Sequence, residues 1–228
     1  MMERETFFRS WSEIHGGAQV RGIVLWWLTV AHRISSLLSR AGLTANALTY
    51  LGVCFGLVLV LSLAGGRADR LPFLILALAV LVLSLVADGL DGSLAIITAT
   101  TSRFGAALDA IADRIVETFW ALVLLLLGAQ LPLVLAAWVI SQTQEYIRAR
   151  LGGLGVRDIG VVTVAERPVR AAFVLVAILV AIVFNVAGSE ILGFESSQLV
   201  SFVTLCWVGM QAIGLAMLSR FAMRATRS

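Results

Sequence analysis

The sequence predicts an all-α, polytopic membrane protein: six transmembrane helices preceded by an interfacial amphipathic helix. Three observations predict it. Apolar side chains make up 60% of the 228 residues and charged ones 14%, and the mean hydropathy is +0.97, more apolar surface than a soluble domain of this size can bury. These residues gather into six runs of roughly 20, the length that crosses a hydrocarbon core. The chain has no lysine, and fifteen of its 17 basic residues, all arginine, fall on one side when the runs are threaded back and forth.

The elements follow in order. Residues 1–45 read as a cytoplasmic N-terminal arm. With Glu3, Arg4, Glu5 and Arg9 there, no signal peptide is expected, and the first span is the expected targeting signal. Within the arm, Gly22–Gly42 carries Ile23, Leu25, Trp26, Trp27, Ile34, Leu37 and Leu38 beside Arg21, Arg33 and Arg40, which suits a helix lying in the interface. Its polar His32, Arg33, Ser35 and Ser36 argue against crossing, and the two tryptophans read as interfacial anchors.

Spans are expected at about 46–65, 71–95, 104–128, 131–150, 169–188 and 198–219, within a six-helix domain over 46–220 that ends in a basic tail, 221–228. Gly65-Gly66 with Pro72, Gly128 with Pro132, and Gly152-Gly153 with Pro168 mark the turns. Only Arg67 and Arg70 fall on the far side. The expected location is therefore the inner (cytoplasmic) membrane, multi-pass, with the N-terminus and the 97–103 loop facing the cytoplasm. The longest polar connection, 152–167, carries Arg157, Asp158, Glu166 and Arg167 and is a candidate recognition surface. Cys54 and Cys206 read as small packing residues inside the membrane, and neither His15 nor His32 is expected to bind metal.

Four carboxylates interrupt the apolar pattern. Asp88 and Asp91 are three residues apart, and Gly105, Asp109 and Asp113 recur every four, so each group lines one helix face. Carboxylates in hydrocarbon require compensating charge, most simply divalent metal. A donor set of oxygens without sulfur or imidazole suits Mg²⁺ or Mn²⁺, expected as two ions. Such a pair neutralises a diphosphate and leaves one carboxylate to deprotonate a hydroxyl. The competing reading is a set of buried ion pairs with Arg103 and Arg114.

The pattern Asp88-x-x-Asp91-Gly92-x-x-Ala95, eight residues, then Gly105-x-x-x-Asp109-x-x-x-Asp113 resembles the signature of the CDP-alcohol phosphotransferases, six-helix membrane enzymes. The resemblance implies transfer of a phosphatidyl group from CDP-diacylglycerol to an alcohol with release of CMP. It implies that Asp88, Asp91, Asp109 and Asp113 bind metal, with Asp113 also the general base. Gly92, Ala95, Ser102, Arg103 and Gly105 then face the CDP-lipid. Leu43-Thr-Ala-Asn46-Ala-Leu-Thr49 resembles the family's entry motif, so Asn46 and Thr49 join them; Thr44 or Asn46 also suits a helix cap. One position departs: the family has arginine where this chain has Ile96, which predicts weaker hold on the diphosphate unless Arg103 or Ser102 substitutes.

Glu145-Tyr-Ile-Arg148-Ala-Arg150 and Glu166-Arg167-Pro168-Val-Arg170 resemble the actinobacterial phosphatidylinositol phosphate synthases within that family. That likeness implies that Arg148, Arg167 and Arg220 receive the phosphate of an anionic, phosphorylated alcohol, inositol phosphate being favoured. Each charge-assisted contact of this kind is worth about 1.5–3 kcal/mol. Glycerol 3-phosphate, as for a phosphatidylglycerophosphate synthase, satisfies the same charge. A cation or proton transporter and a catalytically degenerate paralogue are the readings from other classes. The family likeness and the small residues Gly188, Gly209 and Gly214 point to a homodimer in the bilayer, and no nucleic-acid partner is expected.

Overall fold

The structure, a computed structural model, describes residues 2–14, 16–156, 163–188, 190–191 and 193–226. His15, Arg157 and Asp158 lie outside them. The described residues form α1 (Arg4–Ile14), α2 (Gly22–Arg40), α3 (Ala45–Leu63), α4 (Leu71–Ile97), α5 (Arg103–Leu126), α6 (Leu131–Gly153), α7 (Arg167–Ala187) and α8 (Ser196–Ala225). A two-stranded antiparallel hairpin, β1 (Glu190–Ile191) and β2 (Phe194–Glu195), links the last two helices.

Four helices, α3, α4, α7 and α8, are long and apolar enough to cross a membrane. The other two expected spans are also long helices, α5 with 24 residues and α6 with 23. Neither contains an apolar stretch as long as those of the first four. All five charged residues of α5 lie between Arg103 and Glu117, and those of α6 lie between Glu145 and Arg150.

Several boundaries differ from the expectation. The arm contains a helix of its own, α1, because Phe7 and Trp11, four residues apart, form an apolar stripe that docks on other residues of the arm. α8 continues to Ala225, so much of the expected tail is helical. α6 runs through Gly152 and Gly153, and the left-handed residue beyond its end is Gly155, φ +84°. The hairpin is absent from an all-helical reading. Cys54 and Cys206 are free thiols exposed on α3 and α8, not packed inside the protein.

The chain divides into two compact units. The first comprises Met1–Leu57 and Val80–Val116. In it, Ala31, Leu48, Ala87, Leu90 and Leu94 form one buried cluster from α2, α3 and α4. α3 and α4 cross closely at Gly52, where Ser84 Oγ donates to the Gly52 carbonyl at 2.9 Å. α2 lies on α4 through Trp27: a β-carbon added at Gly89 would lie 2.6 Å from its ring. Trp27 is thus a packing residue, whereas Trp26 stays exposed as expected of an anchor. A second cluster joins Phe7, Leu28, Ile96 and Ile97, and His32 Nε2 contacts the Met2 carbonyl at 3.1 Å.

The second unit comprises Val58–Ala79 and Glu117–Ser228. Here α8 packs on both α6 and α7. Trp207 of α8 stacks on Phe173 of α7 with centroids 6.2 Å apart. Between α6 and α8, Gln144 Nε2 donates to Gln211 Oε1 at 2.7 Å and Gln211 Nε2 donates to Ser141 Oγ. Such interhelical bonds contribute on the order of 1 kcal/mol each where water is absent. Gly214 packs against Gln144, Gly209 faces open space, and Gly188 ends α7.

Candidate functional site

The acids of α4 and α5 sit near the ends joined by the 98–102 connection. α4 stops there in a Schellman arrangement, with Thr100 N–H donating to the Ala95 carbonyl at 2.9 Å and Ala99 N–H to that of Ile96 at 3.1 Å. Ala99 takes the left-handed conformation, φ +54°, a position where glycine is usual. The turn brings Asp109 and Asp113 back toward Asp88: one carboxylate oxygen from each lies within 4.8 Å of the others. Two charges at that distance repel by roughly 3 kcal/mol at an effective dielectric constant near 20. A trio of half-buried carboxylate oxygens therefore fits a hard divalent cation, and nothing in the donor set suits a soft one.

Asp91 is not in that trio. It is 7% exposed, with Thr49 Oγ1 donating to its Oδ2 and the Gly92 N–H to its Oδ1, both at 2.6 Å. Its charged neighbours are Asp109 and Asp88. The Thr49 hydroxyl is thus committed to a carboxylate.

Three of the residues expected to face the CDP-lipid come together. The Gly105 N–H donates to Ser102 Oγ at 3.0 Å. A β-carbon at Gly105 would lie 3.2 Å from Ser102 Oγ and 3.6 Å from Asn46 Oδ1. Around Gly92 nothing lies within 4 Å of an added β-carbon, so α4 is open there. Ala95 is half-buried and Arg103 exposed. Thr44, not Asn46, caps α3, accepting the Ala47 N–H at 3.2 Å. Ile96, only 6% exposed, is buried among Phe7, Leu28 and Ile97. That position packs the N-terminal helices.

The arginines expected at the acceptor belong to the second unit. Arg148 Nη2 donates to Glu166 Oε1 at 2.6 Å and to Thr163 Oγ1 at 3.3 Å. The Arg167 guanidinium stands 5.6 Å from the Trp120 ring centroid. Arg220 is exposed on α8.

Beside these arginines lies a buried ion network that no sequence motif marks as a unit. Arg170, fully buried, donates to Glu117 Oε1 at 2.8 Å, to Glu145 Oε1 at 2.7 Å and to the Ala165 carbonyl at 2.7 Å. Glu117 follows Asp113 by four residues, so the interval that singles out Gly105, Asp109 and Asp113 also points to it.

The family model of the CDP-alcohol phosphatidyltransferases matches residues 42–216. The chain belongs to this family. As a CDP-alcohol phosphatidyltransferase family member it has relatives among the phosphatidylinositol phosphate synthases. That of Mycolicibacterium smegmatis is 33% identical over 146 residues, 60% of this chain and 62% of the relative, so less than two thirds of the relative's length is matched. The crystal structure of the Mycobacterium tuberculosis phosphatidylinositol phosphate synthase in complex with manganese and citrate superposes with a TM-score of 0.63 at 25% identity, covering 85% of this chain and 88% of that one. The structure of that synthase with CDP-DAG bound gives a TM-score of 0.60 at 26% identity, covering 83% and 94%.

Proposed function

We propose that this family member is a six-span enzyme of the inner membrane that transfers the phosphatidyl group of CDP-diacylglycerol to an inositol phosphate, forming a phosphatidylinositol phosphate and releasing CMP. The observation that carries the reading is the convergence of Asp88, Asp109 and Asp113. Its family, a relative that is a phosphatidylinositol phosphate synthase, and structural neighbours holding manganese or CDP-DAG support it. The arginine distribution supports a cytoplasmic N-terminus and site. The family likeness supports a homodimer.

Asp88, Asp109 and Asp113 would hold Mg²⁺ or Mn²⁺, with Asp91 as the fourth carboxylate, fixed in place by Thr49. Metal bound there supplies positive charge that neutralises the diphosphate and its leaving oxygen. Asn46, Ser102, Arg103 and Gly105 line the nucleotide side, and Gly92 and Ala95 leave room for the diphosphate. Arg148, Arg167 and Arg220 orient the acceptor through its phosphate. Asp113 accepts the proton of the acceptor's hydroxyl as that oxygen bonds to the β-phosphorus and the bond to CMP breaks.

The test is CMP release by purified protein from CDP-diacylglycerol with Mg²⁺ or Mn²⁺, across inositol phosphate, glycerol 3-phosphate, serine and free inositol. Release dependent on inositol phosphate is expected. Dependence on glycerol 3-phosphate instead moves the protein to the phosphatidylglycerophosphate branch, and no release with any acceptor overturns the proposal.

A further inference from the structure

The connection into α7 contains an anion-binding cradle that is filled by the protein's own carboxylate. Glu166 Oε1 receives three donors: the Thr163 N–H at 2.6 Å, the Thr163 hydroxyl at 2.8 Å and Arg148 Nη2 at 2.6 Å. A backbone amide, a hydroxyl and a guanidinium on one oxygen are the donors that a phosphate oxygen takes. Glu166 stands at the N-cap of α7, yet its side chain does not cap that helix. It turns back to Thr163 and Arg148 instead.

Arg148 retains unused capacity, since its buried Nε has no hydrogen-bond partner among the described residues. The pair is also reachable: 20% of the Arg148 side chain and 29% of the Glu166 side chain are exposed, against none of Arg170. Arg170 is closed in by two glutamates and a carbonyl, whereas among the described residues Arg148 meets one carboxylate, that of the part-exposed Glu166. Burial raises the proton affinity of the Glu166 carboxyl, but the Thr163 amide, the Thr163 hydroxyl and Arg148 outweigh it, and the carboxyl is held below its ordinary value of 4.5. At neutral pH it is therefore a carboxylate.

We propose that Glu166 is a specificity-determining residue that occupies the acceptor's phosphate position as an internal anion, so that an acceptor must carry a phosphomonoester to displace it. This rests on the reading, proposed above, that Arg148 grips the acceptor's phosphate. A neutral hydroxyl offers Arg148 less than the carboxylate it would replace. A phosphate dianion brings two charges and three oxygens, enough to take over the Thr163 and Arg148 donors and reach the unused Nε. Glu166 thereby sets a threshold against uncharged alcohols at the cost of part of the affinity for the charged one.

The test is Glu166→Gln, which keeps an oxygen for the Thr163 amide and removes the charge. With CDP-diacylglycerol saturating, the KM for inositol 1-phosphate is expected to fall at least about threefold as the competing charge disappears, with the KM for CDP-diacylglycerol unchanged. Combined with Arg148→Gln, the gain should vanish. An acceptor KM that rises or stays put in an active, monodisperse variant overturns the proposal, for Glu166 then orients Arg148. Glu166→Ala serves in the same assay should the glutamine variant not fold. If the wild-type protein releases no CMP with any acceptor, the functional reading fails separately. Inorganic phosphate binding, followed by calorimetry, then decides: tighter binding by the Glu166 variant upholds the cradle and equal or weaker binding refutes it.

Discussion

The Thr49 hydroxyl and the Asp91 carboxylate, 2.6 Å apart, tie the first turns of α3 to the acidic segment of α4. Both groups are buried, so neither finds water as a substitute partner. The hydrogen bond fixes one acid of the signature while its neighbours Asp88, Asp109 and Asp113 close on one another.

Replacing Thr49 by valine keeps the shape and deletes the donor. A hydrogen bond to a charged group is worth about 1.5–3 kcal/mol, so the Mn²⁺ concentration giving half-maximal CMP release should rise roughly tenfold or more. Thr49→Ser should behave as wild type. Equal metal dependence of the valine and serine variants would show that Asp91 is held by other means.

Gly89→Ala forces a methyl group to within 2.6 Å of the Trp27 ring. Overpacking of this kind costs about 1–3 kcal/mol, and the displacement falls on the residue between Asp88 and Leu90. Reduced thermal stability and reduced CMP release are expected together. Trp27→Leu in the same chain should recover much of both, a non-additivity that a double-mutant cycle measures. Strict additivity would mean that the two residues do not touch.

Ile96→Arg restores the family's residue and should not restore a grip on the nucleotide. Its side chain would enter the Phe7, Leu28 and Ile97 cluster. Burying an unpaired guanidinium among these residues should lower stability by roughly 3 kcal/mol. The measurements are a melting curve and the KM for CDP-diacylglycerol. A lower KM with unchanged melting temperature would show that position 96 faces the donor after all.

Glu166 gives a pH signature. Its carboxyl is held below 4.5 in the folded protein, so its stabilising contribution is fully present above that value and disappears as acid protonates the folded form. The melting-temperature gap between wild type and Glu166→Gln should hold steady through neutral pH and close below pH 4.5. A gap that widens with acidification would contradict the Arg148 pairing.

Features governed by local spacing were legible in the sequence. The interval of four residues places Asp109 with Asp113, and the apolar runs mark the long helices α3 to α8. Glu117 was equally legible, one interval beyond Asp113, but its partner Arg170 is 53 residues away and becomes apparent only when α5 and α7 meet. The seat of Trp27 on Gly89 depends on how α2 docks, which periodicity does not encode. Ile96 read as a lost cation because the motif is linear. In three dimensions the side chain follows the helix into a neighbouring apolar cluster. Asp91 stands apart from the trio because its two oxygens are held by the Thr49 hydroxyl of α3 and the Gly92 amide.

Cys54 and Cys206 are outward-facing, unpaired thiols, one in each of the two compact units. Each is a ready attachment point for a nitroxide or fluorescent reporter. Signals from such labels, with and without nucleotide-linked lipid, would report on the surroundings of α3 and of α8 separately, without a single engineered residue.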